Sequence, residues 1–283
     1  VDMGPSAVRV ANLNARLAAL GCAVHDYGNV TVEQPESFAN GPAETRHLPQ
    51  IADNCRRLAR WVTKSAAAGE TPLVLGGDHS IAAGTVAGIA RHFRKKKQRI
   101  GIVWIDAHGD FNTPQTSPSG NVHGMPLASI VGMGPRELTH LPGFAPMVQP
   151  ENVALIGIRD IDSGEAANIR KAGVHAFTMS EVDERGLPAV MRDAIRLATH
   201  GTAGLHVSFD MDALDPEEAP GVGTPVQGGI TYREAHLAME LLHDTGMIAS
   251  LEVVEVNPVL DVSNKTAQLA VELILSAMGK KIL

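Results

Sequence analysis

Cysteine is scarce in this sequence of 283 residues: Cys22 and Cys55 are the only two, and neither belongs to a CxxC pair. A disulfide framework needs more cysteines in a shorter chain, so the sequence predicts a reduced, cytoplasmic setting. No apolar run reaches the roughly 18 residues of a membrane helix, and no charged-then-apolar signal segment opens the chain. Aromatic residues make up only 4% of the chain, which predicts an aliphatic core.

Positive charge is also in short supply. Lys and Arg total 24 against 31 Asp and Glu, a net charge of −7 with His neutral. Nucleic acid and anionic membranes repel such a chain at long range, whereas cationic ligands and metal ions suit it. One basic run, Arg94–Lys97, is compatible with a nucleic-acid patch, but a solvated helix end explains it better in so acidic a chain.

Apolar runs alternate with helical patterns along most of the chain. Five short β-branched runs are typical of buried strands, namely Pro72–Leu75, Ile100–Asp106, Val153–Ile158, Gly204–Asp210 and Ile248–Val254. Five stretches have helical spacing, namely Ile51–Ala68, Ile81–Phe93, Pro188–Thr199, Tyr232–His243 and Thr266–Met278. The alternation predicts an α/β fold with a parallel sheet that helices cover on both faces.

Acidic residues and histidines follow four of the predicted strands. They lie in Gly76–Ser80, Asp106–Asp110, Asp210–Asp212 and Glu255–Pro258. Ligands of open α/β sheets bind outside the carboxyl ends of the strands, so we expect these side chains to meet there. Unpaired buried carboxylates are costly, so the cluster needs cations. His206 lies inside a predicted strand and is interpreted as a packing residue.

The expected cluster contains oxygen and nitrogen donors and no thiolate. Its candidate metal ligands are His79, Asp106, His108, Asp110, Asp210 and Asp212. This set favours Mn²⁺, or Mg²⁺, Fe²⁺ or Co²⁺, over a cysteine-rich zinc site. Six ligands are too many for one tetrahedral ion and suffice for two metals that share carboxylates. The alternative is that these residues merely cap unrelated strand ends and helices.

The strings that carry these residues resemble the arginase branch of the ureohydrolase family. The matching strings are Gly-Gly-Asp-His-Ser at 76–80, Asp-Ala-His-Gly-Asp-Phe-Asn-Thr-Pro at 106–114, Ser-Gly-Asn-Val-His-Gly at 119–124, Gly-Ile-Arg-Asp-Ile-Asp at 157–162, Ser-Phe-Asp-Met-Asp at 208–212, Gly-Gly-Ile-Thr-Tyr-Arg-Glu at 228–234 and Val-Glu-Val-Asn-Pro at 254–258. They occur in the expected order over nearly the whole chain.

The resemblance implies a three-layer α/β/α fold with a central parallel sheet, one catalytic domain over residues 1–283 and two Mn²⁺ ions per subunit. It implies that one ion takes His79, Asp106, Asp110 and Asp210, and that the other takes Asp106, His108, Asp210 and Asp212. Asp106 and Asp210 would then bridge the two ions.

The implied reaction is hydrolysis of L-arginine to L-ornithine and urea. A water that bridges two divalent cations loses a proton near neutral pH and becomes a hydroxide that attacks the guanidinium carbon. Glu255 would hold the guanidinium by charge-assisted hydrogen bonds. Asp110 would stabilise the tetrahedral intermediate and pass a proton to the departing amine. His123 would be a proton shuttle or a substrate-orienting base, or else a loop histidine without a role.

The polar loop at residues 112–124 is the expected specificity element, because long loops in compact domains are usually functional. Its hydrogen-bonding side chains for a substrate α-carboxylate are Asn112, Ser117, Ser119 and Asn121. Asp162 would receive the α-ammonium group, although it also fits a simple helix cap with Glu165 three residues on.

Three functions remain open: an arginase, a sister amidinohydrolase acting on agmatine or guanidinobutyrate, and a metal-dependent scaffold without catalysis. The complete set of candidate ligands disfavours the scaffold. The resemblance also implies a homo-trimer or homo-hexamer. The family normally has a strand before the string Val1–Pro5, so we expect a longer native chain that carries this additional N-terminal strand.

Overall fold

The secondary structure follows the predicted alternation of strands and helices. A computed structural model describes residues 1–33, 37 and 41–281. The strands of this described part are β1 (Leu73–Leu75), β2 (Gly101–Ile105), β3 (Val153–Ile158), β4 (His175–Thr178), β5 (Leu205–Asp210) and β6 (Ile248–Val254). Its α-helices are α1 (Gly4–Val10), α2 (Leu13–Ala19), α3 (Leu48–Ala67), α4 (Ala82–Lys95), α5 (Pro126–Ile130), α6 (Arg136–Thr139), α7 (Ser163–Ala172), α8 (Met179–Arg185), α9 (Leu187–Thr199), α10 (Tyr232–Asp244) and α11 (Lys265–Ala277).

The strands of the described residues form one sheet in the order β1-β6-β5-β2-β3-β4, and every pair is parallel. From β2 the chain moves outward through β3 to β4, whereas β5, β6 and β1 lie on the other side. The connections therefore diverge between β2 and β5, which is the switch point where ligands of open α/β sheets bind. The predicted parallel α/β fold is confirmed.

Helices cover both faces of the sheet, as predicted. On β2, Val103 and Ile105 pack in one core with α9, α10 and α11, while Ile102 and Trp104 pack in the other with α3 and α4. This alternation is the two-residue period of a strand. Both cores are mainly aliphatic, in agreement with the low aromatic content.

Differences from the predictions include one helix start and one strand, both for local reasons. Helix α3 begins at Leu48 rather than Ile51, because Pro49 fits the first turn of a helix. Strand β4 was not predicted, because only Phe177 of its four residues is buried and it forms the edge of the sheet. The expected additional N-terminal strand stays a prediction.

Close packing between α9 and β2 depends on a glycine. A Cβ atom at Gly101 would lie 1.8 Å from the carbonyl oxygen of Ala198 in α9. The helix can therefore cross the start of this central strand only because residue 101 has no side chain. Within the described residues, no helix combines the length and the apolar character that a membrane crossing requires.

Candidate active site

The predicted ligand residues converge at the carboxyl ends of the central strands. Asp106 follows β2 and Asp210 ends the neighbouring strand β5, while His79 comes from the turn after β1. The ligand atoms of these three residues lie within 4.8 Å of one another. A second group of the same kind joins Asp106 to His108 and Asp212. The two groups thus share Asp106.

The first group is centred on the ring nitrogen Nδ1 of His79. It lies 3.1 Å from Oδ2 of Asp106, 3.1 Å from Oδ2 of Asp110 and 3.0 Å from Oδ2 of Asp210. The ring stacks on Trp104, with 4.1 Å between centroids and 11° between planes. Trp104 also donates its indole N–H to Asp106 Oδ2 at 2.9 Å, so one residue orients two members of the group.

The second group surrounds His108, which is more exposed than His79. Its Nδ1 lies 3.1 Å from Oδ2 of Asp212 and 3.5 Å from Oδ1 of Asp106. The Thr224 hydroxyl donates to Asp212 Oδ2 at 2.8 Å. The backbone N–H of Asp212 in turn donates to Asp210 Oδ1 at 2.8 Å, which links the second group to the first.

Like charges crowd this part of the molecule. Two unit charges about 4 Å apart repel by about 4 kcal/mol at an effective dielectric constant of about 20. Burial, together with Asp212 and Asp106, raises the pKa of Asp210 well above its usual value. Burial and Asp106 raise the pKa of Asp110 to about 6. The carboxylates therefore need positive charge between them if all are to be ionised.

The two histidines respond to the same crowding. Burial opposes a charged ring at His79, but the three surrounding carboxylates raise its pKa well above its usual value. Burial likewise opposes a charged His108, but Asp106 and Asp212 raise its pKa to about 12. Without a metal ion, the positive charge of the protonated imidazole rings partly neutralises the negative charge of the carboxylates. A divalent cation would supply the positive charge at the same points.

Two unpartnered atoms support a metal site. Within the described part of the chain, Nδ1 of His79 and Oδ2 of Asp110 are buried and have no hydrogen-bond partner. An unsatisfied buried polar group costs about 1–3 kcal/mol. Both atoms are types that bind divalent cations, and they lie only 3.1 Å apart. The donor set therefore fits a metal ion between them.

A cleft of about 230 Å³ opens above the cluster. Asp106 lies beneath its floor, fully buried. The sequence-predicted residues that line the cleft are His79, His108, Asp110, Asn112, Ser117, Ser119, Asn121, His123, Asp162, Asp210, Asp212 and Glu255. All the predicted site residues are therefore brought to this cleft or to its floor.

Asp162 connects the polar loop to a helix. Its Oδ1 accepts the backbone N–H of Glu165 at 2.9 Å, which confirms the predicted cap of α7. Its Oδ2 accepts the side-chain amide of Asn112 at 3.0 Å. The reciprocal bond of a capping box is missing, because the Glu165 carboxylate accepts the N–H of Phe111 at 2.8 Å instead. Asp162 can therefore cap α7 with one oxygen and still line the cleft with the other.

The loop that carries the predicted serines is braced by its own backbone. Ser117 Oγ accepts the N–H of Gly120 at 2.9 Å, and Ser119 Oγ accepts the N–H of Asn121 at 3.1 Å. Gly120 has a φ of 70°, and a Cβ there would lie 1.7 Å from the carbonyl oxygen of Ala43. Only glycine fits this position.

Two candidate catalytic carboxylates sit on strained backbone. Asp110 has a φ of 50° and Glu255 a φ of 66°, values that cost a residue with a side chain about 1–2 kcal/mol. Hydrogen bonds hold both residues: the Asp110 carbonyl accepts the N–H of Leu127, and the Glu255 N–H donates to Gly77 O. Glu255 Oε1 also accepts the N–H of His79 at 2.8 Å. Such strain is typical of functional sites.

Several residues of the site were missed by sequence reasoning. They are Trp104, Ser208, Thr224, Glu165 and Glu252, which contact the predicted residues or each other. One signal was available in the sequence. His206, Ser208 and Asp210 alternate along β5 and so share one face, which is unusual for a strand buried on both sides.

The fold and the cluster together define a metal-binding α/β protein. The arginase family matches residues 1–279. The chain is 49% identical to an arginase of Bacillus caldovelox, covering 100% of this chain and 94% of that protein. It is 49% identical to an arginase of Bacillus subtilis strain 168, covering 100% and 93%. A solved structure of the Bacillus caldovelox arginase superposes with a TM-score of 0.96 at 49% identity, covering 100% and 94%. The chain belongs to the arginase family and is a hydrolase.

Proposed function

We propose that this enzyme uses two Mn²⁺ ions to hydrolyse L-arginine to L-ornithine and urea. The observation that carries the proposal is the pair of ligand groups that share Asp106 at the floor of a carboxylate-lined cleft. Oxygen and imidazole ligands without thiolates support Mn²⁺, or a similar divalent cation, over a cysteine-rich zinc site. The arginases that match the chain over its full length support L-arginine as the substrate.

The ions would be held by the predicted ligands. His79, Asp106, Asp110 and Asp210 would hold the first ion, and Asp106, His108, Asp210 and Asp212 the second. When bound, the two cations lower the pKa of a water molecule so that it is a nucleophile near neutral pH. Asp106 belongs to both ligand groups, which supports its bridging role.

Glu255 would bind the substrate guanidinium. Its side chain lines the cleft and is 6% exposed. Burial and Asp78 raise its pKa to about 8. A bound guanidinium would restore the charged form through charge-assisted hydrogen bonds. The hydrogen bond from the His79 N–H to Oε1 restrains the direction of this carboxylate.

Asp110 and His123 would handle protons. Asp110 lines the cleft beside the other proposed ligands, where it would pass a proton to the departing amine. His123 lies half-buried in a short 3₁₀ turn at the cleft, where it would shuttle protons or orient the substrate.

The amino-acid end of the substrate would lie against the loop. The residues proposed for the α-carboxylate are Asn112, Ser117, Ser119 and Asn121, and Asp162 would receive the α-ammonium group. Polar side chains that bind the amino-acid end of L-arginine disfavour substrates without this end, because the side chains would then lack hydrogen-bond partners.

We further propose one catalytic domain over residues 1–283, a cytoplasmic location and a homo-trimer or homo-hexamer. The single sheet of the described residues supports one domain. Both cysteines are free, which supports a reducing compartment. Exposed apolar side chains, including Val10 and Val259, support self-association, and light scattering would measure it.

The test is urea release from L-arginine, agmatine and guanidinobutyrate, measured side by side after Mn²⁺ loading. We expect L-arginine to have the highest kcat/KM. Faster turnover of agmatine or guanidinobutyrate would establish the sister amidinohydrolase instead. No urea from any of the three would overturn the proposed reaction.

A further inference from the structure

A buried chain of hydrogen bonds leads away from the first ligand group. Nε2 of His79 lies 2.7 Å from the Ser208 hydroxyl, which donates to Oε1 of Glu252 at 2.8 Å. Nε2 of His206 lies 3.2 Å from the same Glu252 oxygen, and its Nδ1 lies 2.8 Å from the Ser250 hydroxyl. These hydrogen bonds cross from β5 to β6, and His206, which is buried in β5 as the packing interpretation expects, also takes part in them.

Glu252 is the unexpected member of this chain. It is 0% exposed, as are Ser208, His206 and Ser250. Burying a carboxylate costs several kcal/mol even after relaxation. Within the described residues its second oxygen, Oε2, has no hydrogen-bond partner. An apolar residue would fill the space between the sheet and α4 without this desolvation cost. We therefore expect the Glu252 carboxylate to have a role other than packing.

The protons of this chain have one consistent arrangement if His79 binds a cation. Its Nδ1 faces the carboxylates and must offer a lone pair, so Nε2 carries the proton and donates to Ser208. The Ser208 hydroxyl then donates to Glu252. His206 donates to Glu252 from Nε2 and accepts from Ser250 at Nδ1. Both bonds end on the same oxygen, Oε1 of Glu252, and the negative charge of the carboxylate strengthens them.

The stacking of His79 on Trp104 fixes the plane of the imidazole ring. The hydrogen bonds through Ser208 can therefore control only which ring nitrogen faces the carboxylates. With the ring plane fixed, rotation about the side chain decides which nitrogen faces the carboxylates. The contact with Ser208 selects Nδ1 for that position. His108 differs, because its Nδ1 contacts Asp106 and Asp212 and its side chain is one-quarter exposed.

We propose that Glu252 is a positioning residue that acts through Ser208 to fix the tautomer and orientation of His79, and thereby sets the affinity of the first metal ion. This inference rests on the proposed two-metal function. Carboxylate partners of histidine ligands typically change metal affinity 10–100-fold. The effect should be confined to the ion that His79 holds.

The experiment is a calorimetric Mn²⁺ titration of chelator-treated protein in wild type, Glu252→Gln and Ser276→Ala. Ser276 bonds to His236 at 2.8 Å in a buried pair between α10 and α11, so its loss is a matched control for a buried serine–histidine contact. We expect Glu252→Gln to weaken one site 10–100-fold and to leave the other within about threefold. We expect Ser276→Ala to leave both affinities unchanged.

Three results decide the inference. Unchanged affinities in Glu252→Gln would overturn it, as would equal weakening of both sites accompanied by a lower unfolding temperature of the metal-free protein. If Glu252→Gln does not fold, Glu252→Asp keeps the charge and should weaken the same single site to a smaller degree; wild-type affinity in that variant would also overturn the inference. Wild-type protein that binds fewer than two ions would instead contradict the proposed function.

Discussion

Asn112 donates its side-chain amide to Asp162 across 3.0 Å and so joins the cleft loop to the first turn of α7. One oxygen of Asp162 serves this loop and the other caps the helix. The contact links the proposed substrate-binding loop to the helix cap, since one carboxylate bonds to both. A substitution that keeps the cap and removes the charge can separate the two roles.

Asp162→Asn is that substitution. Asparagine caps helices as well as aspartate, but its NH2 replaces the oxygen that accepts Asn112, so we expect the free energy of unfolding to fall by about 1 kcal/mol. Loss of the charge-assisted contact to the α-ammonium should raise KM for L-arginine about tenfold, equivalent to about 1.4 kcal/mol. Guanidinobutyrate lacks that ammonium, so its inhibition constant should not move. Equal effects on both compounds would place the ammonium elsewhere.

Gly120→Ala should disturb the cleft loop. The left-handed φ costs alanine about 1–2 kcal/mol, and overlap with the Ala43 carbonyl adds about 1–3 kcal/mol. Gly21→Ala is the matched control, because Gly21 also has a positive φ but, within the described residues, no atom beyond its chain neighbours lies within 4 Å of its Cβ position. Denaturant unfolding should show the larger loss at Gly120, together with a higher KM for L-arginine. Equal losses of unfolding free energy in the two variants would mean that the loop can shift to accommodate the added Cβ atom.

Glu165 should make the metal-free protein less stable as pH rises. Burial raises its pKa from 4.5 to about 8, so the folded protein holds a proton between these values that the unfolded chain has lost. Stability therefore falls with rising pH across this range, by at most about 1.4 kcal/mol per pH unit from this group. Glu165→Gln should flatten that slope in unfolding measured at pH 5, 6.5 and 8 in chelator. The exposed Glu137→Gln should keep the wild-type slope, and an unaltered slope in Glu165→Gln would contradict the prediction.

Asp210 and Asp212 should differ in their effect on metal content. Asp210→Asn removes a proposed bridging ligand, so both ions should be lost, while its amide oxygen can still accept the N–H of Asp212. Asp212→Asn removes a ligand of one ion, so about one Mn²⁺ should remain. Elemental analysis after Mn²⁺ loading and desalting measures both. Two retained ions in Asp210→Asn would exclude bridging by this residue.

The fold was largely predictable because its signals are local. Short β-branched runs and helical spacing placed the five predicted strands and the five predicted helices, and the acidic strings at strand ends identified the candidate ligands. Strand order was not predictable in the same way. The neighbours β2 and β5 are about a hundred residues apart in the chain, and only long-range packing brings Asp106 beside Asp210.

The sequence by itself determined which residues could bind metal and a cationic substrate, since carboxylates and imidazoles carry that chemistry wherever they lie. Tertiary structure decided which of them share a centre and what supports them. The positive φ at Asp110 and Glu255, the diversion of Glu165 to the Phe111 amide and the burial of Glu252 behind Ser208 all arise from contacts between distant segments. Such contacts leave no periodic signal in the chain, because they depend on where separate strands end in space.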